Sequence, residues 1–207
     1  MPVWIAKEKI DQDAEDLVLV CLRDRKAFTP VDVEKIVAKL TSDKVKLLLD
    51  AIQLPEGIPG KALGATFIKN GRPTIVIDPS LYEKGPDSRF QHTLGHELGH
   101  FFYHTDTLRA ANSGFIDSDI RGLLLNDKGV TDQYEWQANR FAAGLRMPKS
   151  EIYVLKSKFA LQANLRVSTD IFASLSREEF VAVMSTWAKM FGVSKESMIL
   201  RIRSLAI

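Results

Sequence analysis

The chain has a single cysteine, Cys21, which excludes an intramolecular disulfide and any metal cluster built on several thiolates. It also lacks a dominant charge. With 28 basic and 26 acidic residues its formal net charge is +2, too little for the basic footprint of a nucleic-acid binder or of a protein held on an acidic membrane surface. No apolar run approaches the roughly 18–20 residues of a spanning helix, and the N-terminal "MPVWIAKEKIDQ" turns charged too early for a secretory signal. A cytoplasmic protein that binds neither membrane nor nucleic acid is therefore expected. Internal repeats and low-complexity tracts are missing as well. The 207 residues suffice for one sizeable core, or for a catalytic domain with a small helical appendage. Around the lone thiol, "LVLVCL" reads as a buried face, which places Cys21 in the core.

What the chain does have is clear punctuation. In "FTPVDVEKIVAKL", Thr29 is placed to cap a helix, with Pro30 at its first position and apolar residues at helical spacing. "KVKLLLDAI" (44–52) is short and apolar, and the turn signals after it favour a strand over a buried helical segment. "ATFIKNGRPTIVID" holds two β-rich runs around Asn70-Gly71, a strong hairpin signal; Pro73, without an N–H, belongs at an edge or a ladder gap. "EKGPDS" (83–88) breaks the chain. Residues 105–130, rich in Asn, Ser, Gly and Asp with "GLLL" inside, read as a long connection, functional or mobile. Helical patterning resumes in "TDQYEWQANRFAAGLRMP" and stops at Pro148, and two more amphipathic stretches follow, "REEFVAVMSTWAKMF" and "SKESMILRIRSL". In the last of these, Met198, Ile199, Ile202 and Leu205 form a packing face rather than a DNA-reading helix.

All four histidines fall in "FQHTLGHELGHFFYH", at 92, 96, 100 and 104. On an α-helix two residues four apart lie about 40° apart and roughly 6 Å along the axis, so two imidazoles can converge on one ion, whereas four in a row drift too far round to share it. Only one pair has a glutamate directly after its first member: His96-Glu97-Leu98-Gly99-His100, an HExxH pattern. Glu97 sits about 100° round from His96, outside the ligand arc yet close enough to take a proton from a water that zinc has brought to a pKa of about 7. Leu94, Leu98, Phe101 and Phe102 make the opposite, core-facing arc. His92 and His104 are read as surface groups, or as groups behind the ligands.

A zinc peptidase site needs a third protein ligand. The extension with a glycine and a third histidine after the pattern fails, because Tyr103 and Asp106 occupy those positions. The remaining solution is a glutamate from a downstream helix, for which Glu135 is the best candidate and Asp132, at a position suited to capping, the weaker one. Glu135, Ala138, Asn139 and Ala142 share one arc, and Gly95 and Gly99 lie one turn apart beside the histidine face. Small residues on both helices would let the backbones approach.

Together, "GRPTIVID…HTLGHELGHFFYH…EWQANRFAAGLRMP" resembles the ImmA/IrrE family of metallopeptidases, which carry a β-hairpin, an HELGH helix and an E-x-x-A-N-x-F-A-A helix ending in Met-Pro. The resemblance runs from about Pro30 to Pro148, and the tail is similar to the family's C-terminal helices. It implies His96, His100 and Glu135 as ligands of one zinc per chain, or of manganese or another divalent metal, with Glu97 as general base. It also implies an α+β fold: a zincin-like, gluzincin-like domain (41–160) with a small antiparallel or mixed sheet packed on the HExxH helix, between an N-terminal helical region (1–40) and a C-terminal one (161–207). Gln137, Gly144 and Arg146 depart from the family pattern. The function implied is a zinc endopeptidase of narrow specificity that cleaves a separately encoded helix-turn-helix repressor. The alternative is a non-proteolytic antirepressor or toxin–antitoxin component that keeps the metal for stability. The edge of the strand Thr74–Asp78 is expected to receive the substrate chain.

Overall fold

The computed structural model describes residues 4–40, 46–49, 63–83, 87–112, 128–164 and 171–206. Helix α1 (Lys7–Cys21) buries Ile10, Ala14, Val18 and Cys21, a stripe at helical spacing. The expected face around the thiol is thereby split. Val18 and Cys21 point inward while Leu19 and Val20 stay 67% and 61% exposed, because neighbours on a helix face different ways. Helix α2 (Val33–Leu40) begins three residues later than the proline signal indicated. Asp32 caps it, accepting from Lys35 N–H at 3.1 Å, while the Thr29 hydroxyl donates to the Lys26 carbonyl.

The strands β1 (Lys46–Leu49), β2 (Gly64–Lys69) and β3 (Arg72–Ile77) form one mixed sheet in the order β1-β3-β2, with β1 parallel and β2 antiparallel to β3. Asn70 (φ 52°) and Gly71 (φ 75°) supply the two left-handed residues of a type I′ hairpin turn. The placing of "TIVID" at an edge is overturned: Thr74–Ile77 pair with β1 on one side and β2 on the other. Its uninterrupted burial from Pro73 to Ile77 is the mark of a central strand covered on both faces. Among the described residues β2 is an outer strand. Because Asp78 N–H bonds the Leu63 carbonyl (3.0 Å), antiparallel alternation turns the N–H groups of Gly64, Thr66 and Ile68 away from β3.

Helix α3 (Ser88–Asn112) carries the histidines and packs against β2 and β3. Asp87 starts it by accepting from the Arg89 and Phe90 N–H groups. The α3 helix runs well past the expected end, and α4 (Lys128–Arg146) starts before residue 130, so the long connection shrinks to 113–127, outside the described residues with its "GLLL". Leu94 and Leu98 are fully buried, as expected of that arc, and Phe90 is buried beside them, but Phe102 is 41% exposed. With Phe141 and Leu145 of α4, β3, α1 and α2 they form one core, each such side chain contributing about 1.5–3 kcal/mol. The expected close approach of α3 and α4 is present: Gly95 faces Ala142, and Gly99 faces the Ala138 backbone.

A second core gathers α5 (Lys149–Gln162), a short 3-10 turn (Ile171–Ser174), α6 (Arg177–Phe191) and α7 (Lys195–Ser204). Ser176 and Glu179 make a capping box at the start of α6, and Gly192 ends it in the left-handed conformation (φ 63°). Met198 and Ile202 are buried and Ile199 and Leu205 pack beside them, the packing face read from the sequence. Two of the residues that depart from the family pattern join elements here. Gly144 lets α1 approach, since a Cβ there would lie 2.9 Å from Ala14 Cβ. Arg146 donates to Ser88 O (2.7 Å) at the start of α3 and to Gly192 O (2.5 Å) after α6. Asp11 of α1 takes Arg140 of α4 on one carboxylate oxygen (2.5 Å) and Arg201 of α7 on the other (2.8 Å), all three buried. Among the described residues no helix is long and apolar enough to cross a membrane.

Candidate metal centre

Helix α3 presents His96 and His100 on one face, and α4 brings Glu135 to meet them because glycine and alanine line the contact between the two helices. His96 Nε2 and His100 Nε2 are 3.0 Å apart; Glu135 Oε2 lies 3.2 Å from the first and Oε1 3.3 Å from the second. Bonds of about 2.0–2.2 Å in a tetrahedral zinc site set the donor atoms roughly 3.3 Å apart. The three side chains therefore fit a divalent ion with little movement, and two imidazoles with one carboxylate are a donor set that zinc accepts. Asp132 lies inside α4 rather than at its start, and its side chain is outside the described residues.

The ligand atoms are held from behind. Asn139, one turn after Glu135, offers Oδ1 at 3.1 Å to His96 Nδ1, so the neutral form of that ring carries its proton on Nδ1 and leaves Nε2 bare. His100 Nδ1 lies 2.9 Å from His104 Nδ1, and His104 Nε2 lies 2.9 Å from Gln137 Oε1. His104 is thus not a surface group: it is 4% exposed, and burial pushes its pKa down to about 4, which keeps it neutral. His92 is exposed.

Glu97 lies against the sheet, 6% exposed. The Thr66 hydroxyl on β2 is 2.8 Å from Glu97 Oε2 and 2.9 Å from its backbone oxygen. Gly64 makes the room, for a Cβ there would fall 2.7 Å from Glu97 Oε1. Burial raises the Glu97 pKa, against the opposing pull of His100, His96 and the Thr66 hydrogen bond. Burial would raise Glu135 too, but the adjacent imidazoles of His100 and His96 outweigh it and hold that carboxyl far below its ordinary range. The same region thus contains an anionic carboxylate on the ligand face and, beside it, a second carboxylate with raised proton affinity.

Sequence reasoning did not find Thr66 or the part played by Gln137. His104 had a signal, its four-residue spacing from His100. Thr66 had none, since a threonine 31 residues before a glutamate carries no periodicity. The sequence profile of the Peptidase_M78 family, described as the IrrE N-terminal-like domain, matches residues 58–203. No protein of curated function matches the chain.

Proposed function

Because the chain belongs to the Peptidase_M78 family of metallopeptidases, matched over residues 58–203, we propose that it is a zinc-dependent endopeptidase of narrow specificity with a zincin-like catalytic unit. The observation that carries this reading is the triangle of His96, His100 and Glu135 beside a buried Glu97 that Thr66 holds by one oxygen. A purely structural zinc site closes its fourth position with a protein ligand and has no use for a base. When bound, the ion supplies a Lewis acid and a water with a pKa of about 7.

The chain's own residues do the rest. His96, His100 and Glu135 hold the ion. Glu97 takes the proton of the attacking water as its oxygen adds to the peptide carbonyl, and delivers that proton to the amine nitrogen when the C–N bond breaks. Thr66 engages Oε2, which leaves Oε1 for the water. The outward N–H groups of Gly64, Thr66 and Ile68 on β2 are suited to pair an extended substrate, which moves the docking edge from "TIVID" to its hairpin partner. The substrate class proposed is a separately encoded helix-turn-helix repressor. Its support is the family resemblance together with a nearly balanced charge that gives this chain no nucleic-acid footprint of its own.

The test is to incubate the zinc-loaded protein, and Glu97→Gln beside it, with the product of a repressor gene adjacent to its own and to map the fragments by mass spectrometry. Cleavage by the wild type alone is expected. Equal cleavage by both proteins would remove Glu97 from the chemistry, and binding without cleavage by either would turn the reading into one of a non-proteolytic antirepressor.

A further inference from the structure

His104 stands one helical turn beyond the second candidate ligand, and both of its ring nitrogens are engaged. The order of protons along this chain follows from donor and acceptor chemistry. Gln137 Oε1 is an amide oxygen and only accepts, so the proton in the 2.9 Å contact sits on His104 Nε2. A neutral imidazole has one N–H, so His104 Nδ1 is bare and must accept. The donor at 2.9 Å is then His100 Nδ1–H, and a neutral His100 with its proton there has a bare Nε2. That Nε2 is the atom 3.0 Å from His96 Nε2 and 3.3 Å from Glu135 Oε1.

We propose that Gln137 and His104 are positioning residues that fix His100 in the tautomer able to take a metal ion, and fix its ring plane as well. The inference rests on the reading of His96, His100 and Glu135 as a metal site. Reversing the chain shows what is at stake. If His104 donated from Nδ1, His100 would carry its proton on Nε2, aimed at Glu135, and the ion would meet an N–H instead of a lone pair. That order requires Gln137 to present its amide nitrogen. The orientation of one amide on α4 thus decides whether a histidine on α3 is ready for the ion. Gln137 is fully buried and the His104 ring packs 4.5 Å, centroid to centroid, from Tyr134, so neither group turns freely. His96 receives the same service directly from Asn139, which is exposed. The two ligands are therefore set by unequal means, and the buried pair is the more rigid.

The test compares wild type with His104→Phe, Gln137→Leu and Gln137→Glu. Zinc affinity is read by competition with a chelator, and metal-free melting temperature is read alongside it. The tautomers in the metal-free wild type come from long-range 1H–15N NMR. Phe keeps the ring packing and removes both nitrogens; Leu keeps the bulk of Gln137 and removes its oxygen. Both variants should bind zinc about 10–100-fold more weakly, whereas Gln137→Glu, which keeps an acceptor, should bind at the wild-type level. The NMR should show a proton on His104 Nε2 and none on its Nδ1. Wild-type affinity in a folded His104→Phe or Gln137→Leu, or a proton on His104 Nδ1, would overturn the proposal. A purely structural role would lower the melting temperature while leaving affinity unchanged. If the wild type takes no metal, the metal reading fails, and the NMR still decides the proton order.

Discussion

Adding one methyl group at Gly99 should pull the candidate metal centre apart without unfolding the protein. A Cβ built there falls 2.9 Å from Ala138 Cα and 3.2 Å from Ala138 O, both backbone atoms of the helix that carries Glu135 three residues earlier. Nonbonded carbons prefer about 3.5–4.0 Å, so α3 and α4 must part locally by at least about 0.6 Å. Metal–ligand distances tolerate roughly 0.2 Å. Gly95 provides the internal control, for its added Cβ would meet Ala142 at 3.4 Å, close to ordinary contact. Alanine is favoured over glycine inside a helix by about 1 kcal/mol, so Gly95→Ala should leave stability unchanged or raised by up to about that amount. At Gly99 the same gain is set against an overpacking cost of about 1–3 kcal/mol, for a net loss of about 0–2 kcal/mol. If about 1.4 kcal/mol is needed to bring Glu135 back to the ion, zinc affinity falls about tenfold. Chelator competition and denaturant melts on both variants measure the two effects separately. The reasoning is refuted if Gly99→Ala binds zinc like the wild type, or if Gly95→Ala loses as much affinity as Gly99→Ala.

Glu135→Ala should lose bound metal by elemental analysis. Glu97→Gln should keep its metal and its fold while peptidase rate falls about 10²–10⁴-fold, the usual worth of a general base; undiminished metal in the first or undiminished rate in the second would sink the corresponding role. Ile68→Pro removes an N–H that faces away from β3 and should raise KM several-fold with metal content unchanged, and unaltered kinetics in the folded variant would move substrate docking off β2. Asp11→Ala leaves Arg140 and Arg201 buried without their shared carboxylate and should cost about 3–5 kcal/mol in denaturant melts; a loss under about 1 kcal/mol would mean that the two guanidinium groups find water or another partner.

The parts of the site that obey a helical period were legible in the sequence. His96, Glu97 and His100 sit about one turn apart, and the small residues Gly95, Gly99, Ala138 and Ala142 mark the close contact of two helices. The Asn70-Gly71 hairpin is legible because turn chemistry is written in consecutive residues, whereas the α+β class is implied by the family resemblance. Strand order is not local. Nothing in "TIVID" tells that residues 46–49 lie parallel beside it, so the sequence alone points to the wrong edge. The extension of α3 through Asn112 is not legible, because Thr105, Asp106, Thr107 and Asn112 are poor helix formers that the helix nonetheless includes. Helix α5 is not legible in the sequence because its apolar residues are spread round the axis, with Val154 and Leu161 exposed. The contact of Thr66 with Glu97 joins two elements that meet only once the sheet lies on α3.

The ion cluster of Asp11, Arg140 and Arg201 joins positions near the two ends of this sequence, and that has a consequence for its synthesis. A growing chain emerges N-terminal end first, at about 5–20 residues per second. Asp11, His96, His100 and Glu135 are therefore all outside the ribosome before Arg201 has been made. Until α7 docks, Asp11 satisfies only one of its two guanidinium partners and the second core lacks Met198 and Ile202. The nascent protein consequently passes through a stage in which every candidate ligand is present but the scaffold behind α4 is incomplete. Chains stalled before residue 195 should be cut by an added protease faster than released ones. Docking of α7 thus comes after every candidate ligand has been made, and it completes the support behind α4 last among the described elements.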